Sequence, residues 1–215
     1  MDTSTTSPRR RGRPPKDAAG SYAETRSLLV STGLAVLTEK GYSSVGIDEI
    51  LRMVGVPKGS FYHYFSSKEA FGQVLIAAYA DYFARKLDRC FLDTSRTPLQ
   101  RLRYFVQDAK QGMAKHGFRR GCLVGNLGQE MAVLPESFRH QLADVFRDWQ
   151  QRTERCLKEA QQTGEIGQAL DCAQLAEFFW IGWEGAVLRA KLEQQAVALD
   201  IFANGFFKLV EQRGR

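Results

Sequence analysis

The chain of 215 residues holds no run of 18 uninterrupted apolar residues, so no membrane-spanning helix is expected. Its polar, arginine-rich start is unlike a secretory leader, and a cytoplasmic protein is expected. Cysteine is sparse: Cys90, Cys122, Cys156 and Cys172 stand at least 16 residues apart. No Cys-x-x-Cys clip exists, so neither a zinc site nor a disulfide framework is expected, and the thiols should be reduced. Histidine is rarer still, with only His63, His116 and His140. There is no nucleophile elbow, and no glycine-rich phosphate loop follows a strand. Alternating strand patterns and repeats of 20–50 residues are missing as well. Catalytic, metal-dependent and solenoid classes thus lose their support, and no cofactor is expected. With 44% hydrophobic residues the chain can bury a core.

What is present is helical. Leu29, Gly33, Val36 and Leu37 line one face of a first helix from about Tyr22 to Lys40, which Gly41 ends. Ser44 is placed to cap the second helix, with Asp48 and Glu49 near its positive end. There Ile47, Ile50, Leu51 and Val54 repeat at i, i+3, i+4, i+7. Gly55 supplies the turn, Val56 plugs the angle, and Pro57 opens a third helix from Lys58 to about Phe65. Two short helices meeting at such a corner form a helix-turn-helix, whose second helix enters the DNA major groove. A fourth helix runs from near Ser67 to about Phe91. Pro98 opens a fifth, the stretch Gly121–Met131 contains a short sixth, and Pro135 opens a long seventh. Helices at about 171–193 and 197–212 complete an all-α chain.

The net charge of +6 is uneven. Arg9, Arg10, Arg11, Arg13 and Lys16 face only Asp2 in the first sixteen residues, which like-charge repulsion keeps extended. The division expected is a disordered basic arm (1–20), a DNA-binding head (21–66) and a sensing and dimerisation body (67–215). Arg11-Gly-Arg-Pro14 resembles an AT-hook core, which would place Arg11 and Arg13 in a narrow minor groove. The alternative is a merely solubilising tail.

The string Leu34–Phe71, with Gly41-Tyr-Ser-Ser-Val45 and Phe61-Tyr-His-Tyr-Phe-Ser-Ser-Lys-Glu-Ala-Phe71 flanking the corner, resembles the N-terminal domain of TetR-family transcriptional regulators. Leu51 and Val54 stand where that family usually has small residues, and Tyr64 where it usually has His. The resemblance implies an all-helical homodimer with an N-terminal head over a ligand-sensing body, bound to double-stranded operator DNA. It matches Ser44, Tyr64 and Lys68 to phosphate-clamping positions. Lys58, Gly59, Ser60 and Tyr62 begin the recognition helix, where base edges are reached. His63 reads equally as a contact or a solvated residue, and Phe61 and Phe65 read as core. A dimer would want a pseudo-palindromic operator with half-sites roughly 34–36 Å apart.

Leu175, Phe178, Phe179, Gly182, Ala186, Ile201, Phe202, Phe206 and Leu209 give the last two helices more apolar surface than a monomer needs, which suits a four-helix dimer interface. Between Gly117 and Met131, four glycines surround Cys122, with Arg119 and Arg120 just upstream. A helix start and nearby cations would favour the reactive thiolate. With Gly182-Trp-Glu-Gly-Ala-Val-Leu-Arg-Ala-Lys191, the segment resembles the family's branch responding to acrylate and other electrophiles, like the N-ethylmaleimide-responsive repressor. Three readings stay open. Cys122 is a thiol switch beside Lys191; or Arg120, Asn126, Gln129 and Trp183 bind a small carboxylate or acyl-thioester reversibly; or Cys122 is inert and buried. The output expected is repression, relieved by that small-molecule effector. A cysteine-dependent hydrolase and an effector-independent architectural DNA-binding protein are the rivals of other classes.

Overall fold

The computed structural model describes residues 18–212. Nine α-helices and one 3-10 turn make up the described residues, with no strand. The expected arginine contacts at Arg11 and Arg13 lie outside them. Helix α1 spans Ala18–Lys40, beginning inside the segment expected to be arm. A side chain at Gly33 would collide with Phe71 and Leu75 of the fourth helix, and Leu29, Val36 and Leu37 are buried beside it.

Helix α2 (Ile47–Val54) ends at Gly55, whose φ of 67° is the left-handed turn a glycine accommodates without strain. Ser44 does not cap it. The N-cap is Gly46, without a side-chain bond, while Ser44 Oγ donates back to the Lys40 carbonyl at 2.6 Å. The recognition segment is also not one helix. Lys58–Ser60 form a 3-10 turn and Phe61–Tyr64 a single α-turn, α3. The Ser60 N–H donates to the Pro57 carbonyl at 2.9 Å, the i to i+3 bond that defines the tight opening. Phe61 and Phe65 are buried against Phe71, as their spacing requires.

Helix α4 (Lys68–Phe91) is capped by Ser67, whose hydroxyl accepts from the Ala70 N–H. It runs from the head into the body. There α5 (Pro98–Ala114) starts in a Thr97–Gln100 capping box. The short α6 is Leu123–Gln129, and the long α7 is Glu136–Gln162. Asp171 caps α8 (Cys172–Glu193) by accepting from the Ala173 and Gln174 N–H groups. Helix α9 is Val197–Gln212.

The body is sealed by Phe83, Phe105, Trp149, Phe179, Trp180 and Trp183, whose rings meet at 4.3–6.3 Å. Burying each such side chain contributes about 1.5–3 kcal/mol. Trp180 Nε1 donates to Thr153 Oγ1 at 2.9 Å, so its polar edge is satisfied inside that core.

Candidate functional site

Two surfaces can carry function. The first is the outer face of the helix-turn-helix. Lys58, Gly59, Tyr62 and His63 are exposed, with 66% of Tyr62 open to solvent. Nothing would obstruct even a Cβ at Gly59, so backbone there can approach another molecule closely. Ser60 is half-buried. Lys58 Nζ lies 2.7 Å from Asp48 in an exposed ion pair, which DNA phosphate can displace. Tyr64 is partly buried and stacks on Tyr22 at 4.7 Å, while the Tyr22 hydroxyl donates to the His63 carbonyl. Lys68 sits over the Tyr42 ring at 4.4 Å and donates to the Tyr42 carbonyl at 3.2 Å. Burial lowers its pKa. Tyr64 and Lys68 therefore hold the scaffold as well as flanking the exposed face.

The second surface is a cavity of about 590 Å³ in the body. Its wall combines α1 (Leu34, Thr38), α4 (Tyr79, Phe83), α5 and α8 (Trp183, Glu184) with the Arg120–Cys122 loop. Lys86 and Asp108, paired at 2.6 Å, lie at its α4–α5 side. The expected effector residues divide here. Arg120, Cys122 and Trp183 line the cavity. Asn126, Gln129 and Lys191 line a narrow crevice on the other side of Gly121 and Cys122. Asn126 donates to the Leu37 and Thr38 carbonyls at 3.2 and 3.0 Å, and Lys191 to Thr38 at 3.4 Å. These two side chains hold the end of α1, and Gln129 is exposed.

The electrostatics around Cys122 differ from those expected. Arg119 and Arg120 point to Glu39, at 3.8 and 3.7 Å, instead of to sulfur. Helix α6 has only two turns, and its Gly125 N–H donates to Cys122 Sγ at 3.5 Å. The thiol is buried and faces the Glu184 carboxyl. Burial first, then that carboxylate, push its pKa well above the cysteine range, so the resting group is a thiol. Burial also pushes Glu184 up to about 7, the neighbouring Cys122 thiol working against it. Tyr79 completes the cluster, and burial beside Cys122 and Glu184 keeps its phenol protonated. A Cβ at Gly125 would overlap the Glu184 carboxylate and touch Cys122 Cβ at 3.7 Å. That glycine makes room for the cluster.

Sequence reasoning missed Tyr79 and Glu184. Tyr79 reads as one of many aromatic core positions. Glu184, between Trp183 and Gly185, reads as an ordinary helix charge. The four-residue step from Trp180 to Glu184 on the inward face was the available signal.

The family models supply the decisive comparison. One for "Bacterial regulatory proteins, tetR family" matches residues 29–72, and one for "Tetracyclin repressor-like, C-terminal domain" matches 98–206. The chain belongs to the TetR family. The regulator is 57% identical over 197 residues to the transcriptional regulator AcuR of Cereibacter sphaeroides, covering 92% of this chain and 89% of that one. It is 34% identical to the repressor DhaR of a Mycobacterium species, over 85% and 90% of the two chains. A crystal structure of a regulatory protein TetR from Rhodobacter sphaeroides superposes with a TM-score of 0.85 at 57% identity, over 86% and 98%. Reduced NemR of Escherichia coli does so with 0.80 at 26% identity, over 87% and 97%. The regulator is thus a DNA-binding transcriptional repressor and not an enzyme, and it resembles the family's electrophile-responsive branch. Among the described residues no helix is long and apolar enough to cross a membrane.

Proposed function

We propose that this repressor leaves a pseudo-palindromic operator when an acrylate-like acid or another small electrophile enters the cavity and engages Cys122. The observation carrying this reading is the cavity itself. Leu34 and Thr38 of α1, a head helix, line it together with Cys122, Tyr79 and Glu184 of the body, and the Gly121 N–H beside Cys122 donates to the Thr38 carbonyl at 3.0 Å. An occupant therefore touches head and body at once. Phosphate contacts from Ser44, Tyr64 and Lys68, with base reading by Lys58, Gly59, Ser60, Tyr62 and His63, hold the operator. Arg11 and Arg13 add minor-groove contacts. A ligand that separates α1 from α6 biases the heads away from operator spacing. A coupling of about 1–3 kcal/mol would weaken binding roughly 5–150-fold.

The active unit is a homodimer. Phe178, Ile181, Leu188 and Leu192 form one exposed stripe on α8, with Ile201 and Leu209 beside it on α9. Ile181, Leu192 and Ile201 are 73%, 74% and 68% exposed, an apolar patch that a second copy would cover. Phe179 and Phe206 are instead buried inside the protomer. Gly182 receives Phe202 of α9, so the small residues at 182 and 186 serve packing within the chain.

A second reading has one observation in its favour. The cavity far exceeds what a three-carbon acid fills, which suits reversible binding of an acyl-thioester. Both readings are tested by titrating the protein, bound to a fluorescent fragment of its own upstream DNA, with N-ethylmaleimide, acrylate and an acyl-thioester. Release by maleimide or acrylate supports the electrophile reading. Release by thioester alone supports the second, and release by none removes both.

A further inference from the structure

A buried, neutral thiol without a cation beside it is a poor nucleophile, so a reactive Cys122 needs a proton acceptor. Lys191 is across Gly121, directed at the Thr38 carbonyl, and Arg120 is drawn to Glu39. The remaining candidate facing the sulfur is Glu184 of α8, seated in space left by Gly125 of α6. Tyr79 of α4 lines the same cavity as Cys122 and Glu184. Other titratable groups on the cavity wall are Tyr82, Arg89, Lys115, His116, Arg120 and the paired Lys86 and Asp108.

We propose that Glu184 is the general base for conjugate addition of Cys122 to an α,β-unsaturated carbonyl compound, with Tyr79 positioning the sulfur. The proposal rests on the electrophile reading above. As the Sγ–C bond to the β-carbon forms, the thiol proton passes to the Glu184 carboxylate. The C=C π pair moves toward the carbonyl oxygen, and the resulting enolate takes a proton at its α-carbon from the Glu184 carboxyl. The net change is addition of S–H across C=C, and neither oxidant nor reductant is consumed. Tyr79 donates to the sulfur as negative charge develops there. This arrangement lets the thiol rest inert and become nucleophilic only toward a compound small enough to reach it. A carboxyl titrating near neutrality suits such a base.

The test is the rate of Cys122 modification by N-ethylmaleimide, followed by intact and peptide mass spectrometry on the full chain between pH 5 and 9. Wild type, Glu184→Gln, Glu184→Asp and Tyr79→Phe are compared. In wild type the rate should rise through about pH 7 and then level. Glu184→Gln should react about 100-fold more slowly at pH 7 and rise only toward the alkaline thiol range. Glu184→Asp should restore part of the rate. Tyr79→Phe should slow the reaction without moving the rise near pH 7. Should Glu184→Gln fail to fold, the wild-type profile decides alone: a rise confined to alkaline pH overturns the proposal. Equal rates and profiles for wild type and Glu184→Gln would overturn it while leaving the electrophile reading standing. A wild-type Cys122 that maleimide never modifies would overturn both.

Discussion

Glu130 closes α6 at the end opposite Cys122, and its carboxylate grips the head. Oε1 accepts from the Tyr42 N–H at 3.0 Å and Oε2 from the Ser43 N–H at 2.7 Å. The turn can come this close because Gly41, with φ of 84°, has no Cβ, which would overlap that carboxylate. Lys68 and the Tyr42–Phe138 edge contact at 5.3 Å fasten the same turn from other sides. Glu130→Ala removes two charge-assisted bonds, each worth about 1.5–3 kcal/mol when well shielded. Ser43 is exposed and water can replace the lost acceptor, so a net loss of about 2 kcal/mol is expected. For a chain of this size that lowers Tm by roughly 4–8 °C. Glu130→Gln keeps one acceptor and should lose about half as much. The assay pairs a thermal melt with operator affinity measured with and without maleimide. Glu130→Ala should bind operator more weakly and show a smaller maleimide effect, since the turn preceding Ser44 is no longer tied to α6. Unchanged melting and an unchanged maleimide response would refute the view that this carboxylate joins head to body.

Other substitutions probe separate parts of the account. Lys58→Ala should weaken operator binding about tenfold and relax the base preference at the position it reads, measured by fluorescence anisotropy on operator variants; an unchanged affinity would remove Lys58 from the interface. Gly182→Ala should cost about 1–3 kcal/mol, because the new methyl collides with the Phe202 ring, whereas Gly185→Ala meets open space within the protomer and should spare its fold in a denaturation series. Ile181→Asp should shift the protein to monomer in analytical ultracentrifugation at micromolar concentration, and a persistent dimer would place the interface elsewhere. Glu184 has a folded pKa raised from 4.5 to about 7. Its contribution is therefore fully present below 4.5 and is lost as pH rises through 7, where the unfolded chain ionises freely but the folded one does so late. Glu184→Gln should then gain stability relative to wild type between pH 4.5 and 8, by at most about 3 kcal/mol. A difference in Tm that does not vary with pH would contradict this.

The helical architecture was legible because each boundary has a local cause. Gly41, Gly55, Pro98 and Asp171 act on their own neighbours, and apolar spacing marks the buried faces of α1 and α2. The recognition segment was less so, since the choice between a 3-10 and an α-turn depends on how Phe61 and Phe65 seat against Phe71. Cys122 was found from its glycine-rich surroundings, yet its chemistry was misjudged. Arginines adjacent in sequence turn to Glu39 on α1, while the group that faces the sulfur comes from 62 residues downstream. Likewise nothing local to Asn126 or Lys191 announces that both serve carbonyls at the end of α1. Contacts between distant helices decide the site, and periodicity reports only which face turns inward.

Under the proposed function, chemistry at Cys122 is what releases DNA. The direct measurement takes aliquots of one maleimide reaction on the DNA-bound protein and reads, in each, the fraction of Cys122 modified and the fraction of operator released. Release should rise in step with modification in wild type, while Cys122→Ser shows neither adduct at that position nor release. Operator release from Cys122→Ser, or a fully modified wild type that still holds its operator, would contradict the account.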